Sequence, residues 1–173
     1  MTCPQARAPL GQPKAVPFRM THYLHPGRLW LSREPYSVTT ILGSCVAIAL
    51  FDPSVGIGGL CHYLLPDWPG SGPASPRFGN VAFEQLIRMF AAEGLRKERL
   101  LAKLFGGACV IEAMRDGFRL GGKNVALARR LLSEAKIPVV AEDVEGNLGR
   151  KLVFHTHDGS TWVKLLKRDS SWK

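Results

Sequence analysis

Cys45 and His62 are the residues of this 173-residue chain whose types and spacing suit chemistry. A thiol beside an imidazole is the minimum equipment of an activated sulfur nucleophile: the imidazole takes the proton and the thiolate attacks. The two lie on consecutive apolar runs, residues 39–51 and 57–66, both rich in strand formers. Between them Asp52-Pro53-Ser54-Val55-Gly56 is turn chemistry. A hairpin closed by this turn sets Phe51 against Ile57, so that opposed positions have numbers summing to about 108, with one slip allowed. Cys45 and His62 sum to 107 and are expected nearly opposite, with Cβ atoms about 5 Å apart. This register follows from the turn and owes nothing to the chemistry. Taken alone, a cysteine in an apolar strand is more often an inert buried hydrophobe. Gly43-Ser44 adds a weak signal, because glycine permits the exposed amides that an oxyanion needs.

The elements that must position this pair follow from pattern. Residues 28–33 form a short strand before the hairpin. Residues 66–79 are dense in Pro, Gly and Ser and form a loop, expected to line one rim of the site because it follows the histidine strand. Asn80 is the expected N-cap of a helix to about Glu93, with Gly94 as its stop and Phe83, Leu86, Ile87 and Phe90 as its core face. A strand over 100–105 ends in Gly106-Gly107, and a second helix runs from about Lys123 to Ala135. Strands near 139–144, 151–157 and 161–167 follow, the last two joined by His157-Asp158-Gly159-Ser160. The expected class is α/β, a mixed α+β layered sandwich rich in strands, with two main helices on one face.

Several blocks resemble the CheD family, the chemoreceptor glutamine deamidases of bacterial chemotaxis. Thr39, Leu42, Gly43, Ser44 and Cys45 match Thr-x-x-Leu-Gly-Ser-Cys, and Gly58, Gly59, His62, Leu65 and Pro66 match Gly-Gly-x-x-His-x-x-Leu-Pro. Residues 102–108 resemble the family's Ala-Lys-x-x-Gly-Gly-Ala loop, Gly122-Lys123-Asn124-Val125 its Gly-x-Asn-Val helix start, and residues 141–150 its Ala-Glu-Asp-x-Gly-Gly-Asn-x-x-Arg segment. The likeness covers roughly residues 20–166 in one order. Glu145 stands where the family has the first glycine of a Gly-Gly pair, Asn80 where many members have Asp, and Cys109-Val110 where a polar residue and Met are common.

The resemblance implies a Cys-His-Thr catalytic set with Cys45 as nucleophile and His62 as base. The family threonine lies six residues before the cysteine, which is Thr39, with Thr40 adjacent as a one-residue ambiguity. It further implies a protein-glutamine glutaminase that converts receptor glutamines to glutamates without a cofactor. The implied partners are the cytoplasmic helices of methyl-accepting chemotaxis receptors and a CheC-type phosphatase. The competing class is a non-catalytic binding module for that phosphatase or a receptor. Within enzymes, a cysteine peptidase shares the first chemical step.

Composition bounds these readings. The chain is one domain with an ordinary globular composition. Residues 1–17 are expected to be a disordered tail, 18–168 the folded domain and 169–173 a basic tail. No apolar run reaches the ~18 residues of a membrane span, and no signal core opens the chain, so the cytoplasm is expected. The formal charge is +9, of which residues 1–33 carry +5 and residues 164–173 carry +3. The nearly neutral middle argues against a nucleic-acid cleft. Cys3, Cys45, Cys61 and Cys109 show no Cys-x-x-Cys pairing and are expected as free thiols, with Cys61 on the strand face opposite His62. Gly106-Gly107 and Gly121-Gly122 fit no phosphate-loop pattern. His155 and His157 lack an evident third metal ligand, so no metal is expected.

Overall fold

The computed structural model describes residues 20–109 and 120–167. The expected tails and Cys3 lie outside them. The described residues form two sheets and two helices. One sheet has four strands in the order β1 (Met20–Tyr23), β3 (Tyr36–Leu42), β8 (Arg150–His155) and β9 (Thr161–Leu165). The other has five, in the order β2 (Arg28–Ser32), β5 (Ile57–Tyr63), β4 (Val46–Asp52), β6 (Leu101–Gly106) and β7 (Val139–Val144). Helices α1 (Gly79–Ala92) and α2 (Leu120–Glu134) pack on the five-stranded sheet. The layers are thus helices, five-stranded sheet and four-stranded sheet, the mixed α/β class that the pattern predicts.

Burial follows the alternation of the strands. On β3 the inward residues are Val38, Thr40 and Leu42, while Ser37, Thr39 and Ile41 point away from the core. Strands β4 and β5 are covered on both faces, which is why they read as near-continuous apolar runs. Ala47, Ala49 and Leu60 face the four-stranded sheet together with Phe105, Leu152 and Phe154. Ile48, Cys61 and Tyr63 face the helices, among Leu86, Phe90, Val125 and Leu132.

Residues 39–51 form two strands and not one run. The chain leaves the four-stranded sheet after Leu42 and joins the five-stranded sheet at Val46. Gly43, Ser44 and Cys45 make the corner between the sheets. The β1 strand, which the pattern did not indicate, pairs in parallel with β3.

The first helix is capped two residues earlier than expected. Phe78 is the N-cap and makes no side-chain cap bond. Asn80 instead accepts hydrogen bonds at Oδ1 from the Trp68 and Val81 amides, tying down the 66–79 loop. The stop at Gly94 holds. With φ +75° it places Leu95 N–H on Phe90 O and its own N–H on Ala91 O, the paired bonds of a Schellman ending.

Candidate active site

His62 is fully buried near the end of β5, on the face turned to the four-stranded sheet. Thr40 reaches it from β3, across the gap between the sheets. The Thr40 hydroxyl lies 2.8 Å from His62 Nδ1 and 2.7 Å from the Leu24 carbonyl. A carbonyl only accepts, so the single hydroxyl proton goes to Leu24 O. Thr40 Oγ1 must then accept from Nδ1–H, which leaves Nε2 with a free lone pair. Nε2 is buried and has no hydrogen-bond partner among the described residues. Burial lowers the His62 pKa to about 4, with the nearby Leu24 carbonyl acting weakly the other way. The imidazole is therefore neutral at pH 7 and carries its base on Nε2.

Of the two adjacent threonines, Thr40 and not Thr39 lies against the imidazole. Thr39 lies on the outer face of the four-stranded sheet, paired with Tyr23 and Val153. The corner at 43–45 separates two strands of different sheets, so the strand is not regular between Cys45 and the threonines. Thr40, the adjacent alternative, is the threonine on the imidazole.

Cys45 is half-buried at the corner. The hairpin register is one step from the expected value: Phe51 faces Gly58, and His62 faces Ala47. Cys45 therefore lies beyond the last ladder pair, Val46 with Tyr63, and is diagonal to His62 instead of opposite it. Burial pushes its thiol above the usual value, and its own backbone N–H pulls it partly back. Thiol and imidazole are each neutral at rest.

Three successive carbonyls hold the corner. Gly43 O accepts from Ala108 N at 2.8 Å, Ser44 O from Asn124 Nδ2 at 3.0 Å, and Cys45 O from Gly107 N at 2.8 Å. The Gly106-Gly107-Ala108 loop thus grips the backbone of the nucleophile's strand. Its own shape is set by the next segment: Glu145 N donates to Gly106 O at 2.8 Å, and Cys109 N to Gly146 O at 2.8 Å. The buried guanidinium of Arg150 holds that segment through Asp143 and the Glu145 carbonyl. Sequence reasoning did not assign Leu24, Asn124 or Arg150. The asparagine and arginine were visible only as parts of motif blocks, and a carbonyl such as that of Leu24 leaves no side-chain signal.

Cys61 faces the helices, fully buried, and its thiol is pushed up to about 12 by burial. His155 and His157 have ring centroids 6.3 Å apart. Among the described residues no group of three or more His, Cys, Asp or Glu is placed to hold a metal ion. No helix among them is long and apolar enough to cross a membrane.

Fold and site together define a class: a helix-backed pair of sheets with a thiol at the sheet-to-sheet corner and a neutral imidazole oriented by a hydroxyl. A family model described as CheD chemotactic sensory transduction matches residues 64–165. A relative in Anaeromyxobacter dehalogenans, named probable chemoreceptor glutamine deamidase CheD 1, is 49% identical over 83% of this chain and 84% of its own length. Proteins named probable chemoreceptor glutamine deamidase CheD in Trichlorobacter lovleyi and Sulfurimonas denitrificans are 42% and 39% identical, over 85% and 84% of this chain and 89% and 94% of their own. The chain belongs to the CheD family.

Proposed function

We propose that the protein hydrolyses glutamine side chains of chemotaxis receptors to glutamate, with Cys45 as nucleophile, His62 as general base and acid, and Thr40 orienting the imidazole. The carrying observation is the Leu24–Thr40–His62 relay, which leaves Nε2 as the free base. The names of the relatives supply the substrate class.

In the mechanism Nε2 takes the Sγ proton, and the sulfur forms a bond to the carboxamide carbon as the carbonyl electrons move onto oxygen. The amides of Gly107 and Ala108 are occupied by the carbonyls of Cys45 and Gly43. The Cys45 N–H, beside the sulfur, is the donor assigned to the oxyanion. Collapse breaks the C–N bond, and the imidazolium protonates the departing ammonia. Water then attacks the thioester with Nε2 taking its proton; the C–S bond breaks, glutamate leaves, and the proton returns to sulfur. No step requires a cofactor. The reaction site on a receptor is cytoplasmic, and a CheC-type phosphatase is the second partner implied by the family.

The test is peptide mass spectrometry of a receptor cytoplasmic fragment incubated with wild type and with Cys45→Ala. The expected result is a gain of about one mass unit at defined glutamines, with ammonia release, lost in the variant. An unchanged mass while the two proteins bind would favour a binding module, and a cut backbone a peptidase.

A further inference from the structure

Asn124 sits in the first turns of α2 and is fully buried. Its Nδ2 donates to Ser44 O at 3.0 Å and to Leu64 O at 2.9 Å. Ser44 immediately precedes Cys45, and Leu64 lies two residues beyond His62. The β4–β5 ladder ends at Val46 with Tyr63, so the next positions along, Cys45 and Leu64, are beyond its hydrogen bonds. One amide group joins the two strands where the ladder no longer does. From the pairing we infer that Asn124 is a positioning residue, setting the separation of the Cys45 sulfur and the His62 Nε2. The inference rests on the catalytic reading above.

Three observations separate this role from helix docking. First, α2 is already anchored by Val125, Leu127, Ala128 and Leu132, all buried against the sheet and the first helix. Second, the Tyr63 hydroxyl donates to the Asn124 backbone carbonyl at 2.5 Å, so the helix is tied to β5 without the side chain. Third, Asn124 Oδ1 is buried with no hydrogen-bond partner among the described residues. A buried acceptor left without a partner is destabilising. An apolar side chain would avoid that cost, so the value of the asparagine lies in its two donated protons. No carboxylate or hydroxyl supplies two donors there. Because Cys45 is diagonal to His62, their separation depends on the angle of the corner that Asn124 fixes.

The experiment uses the full chain and compares Asn124→Ala and Asn124→Asp with wild type, and with Leu127→Ala as a helix-docking control. Receptor-fragment deamidation gives kcat and KM, and iodoacetamide alkylation of Cys45 gives a substrate-independent reading. For folded Asn124→Ala, kcat is expected to fall roughly 10- to 100-fold with KM changed less than about threefold. Cys45 alkylation should change at least about fivefold while Cys61 stays protected. Leu127→Ala should melt earlier, yet keep kcat within about threefold. Unchanged kcat and alkylation in either folded Asn124 variant would overturn the inference. So would an equal kcat loss in Leu127→Ala, or failure of both Asn124 variants to fold while Leu127→Ala folds. If wild type deamidates nothing but the Asn124 variants alter Cys45 alkylation, the catalytic reading falls and the positioning role stands.

Discussion

The Thr40 hydroxyl, on the four-stranded sheet, lies 2.8 Å from Nδ1 of His62, on the five-stranded sheet. The imidazole is therefore oriented across the sandwich and not along its own strand. Thr40→Val keeps the shape and removes the acceptor. The ring then loses the bond that fixes its tautomer, and kcat is expected to fall about 10- to 100-fold. Thr39→Val, on the outer face, should leave kcat within about threefold. Parallel deamidation assays on the two variants decide between the adjacent threonines. A loss confined to Thr39→Val would return the role to the residue that family spacing selects.

His62 makes stability depend on pH. Burial holds its folded pKa at about 4, below the ordinary histidine value of 6.5. Between those values the unfolded chain binds the extra proton and the folded protein does not, so stability rises with pH. The contribution is present above pH 6.5 and is lost as pH falls toward 4, to a total of about 3 kcal/mol. Urea unfolding at pH 7 and pH 4.5 should show a lower midpoint at the acid value, with a smaller difference in His62→Gln. The acid limb of kcat/KM should likewise lie well below the pH expected of an exposed histidine.

Alternation and turn chemistry carried most of the fold. The β4–β5 hairpin, both helices and the order of the later strands are local patterns and were legible. The two-sheet architecture was not. Residues 39–51 are apolar throughout because β4 is buried on both faces, and nothing in that composition marks the corner at Gly43-Ser44-Cys45. That corner is held by Ala108, Asn124 and Gly107, all more than 60 positions away along the chain. The same hidden corner leaves the two threonines undistinguished in the sequence: alternation predicts faces within a strand and has no force across a change of sheet. Cys61 shows the converse. It lies inside a regular strand, and its expected place opposite His62's face is where the structure has it.

Cys45 and Cys61 should differ sharply toward alkylating reagents. Cys45 is half-buried at the corner, whereas Cys61 is fully buried with a thiol pushed up to about 12. Native iodoacetamide treatment at pH 8 is expected to label Cys45 and leave Cys61 unmodified, as read by peptide mass spectrometry. Raising the pH from about 9 toward 12 should destabilise the fold, because the unfolded chain ionises Cys61 first. Comparable labelling of both residues at pH 8 would mean that β5 opens far more readily than its burial allows.

Glu145 occupies the position where the related family carries a glycine, and its φ is +63°. A side chain in this left-handed region is strained, and Glu145 is exposed. Glu145→Gly removes the strain but adds freedom to the unfolded chain, so the net gain is expected at about 0.5–1 kcal/mol. Thermal unfolding reads this as a rise of about 1–4 °C. Its backbone N–H to Gly106 O is retained, so kcat should be unchanged.

Gly106 shows what the corner demands of its neighbour. Its φ is +105°, and a Cβ built there would lie 2.2 Å from the Cys45 carbonyl oxygen. That oxygen is the one gripped by Gly107 N, so neither side has room to yield. Gly106→Ala therefore combines backbone strain with displacement of the nucleophile's peptide. The expected loss is about 2–4 kcal/mol, a fall of about 5–12 °C in melting temperature. Gly94→Ala is the matched control: its φ is +75°, but no atom of the described residues lies within 4 Å of the added Cβ. It should cost about 1 kcal/mol and leave kcat unchanged. For folded Gly106→Ala, kcat should drop at least about tenfold, because the Cys45 sulfur moves with its carbonyl. Equal kcat in the two alanine variants would show that the position of the Cys45 peptide does not limit the reaction.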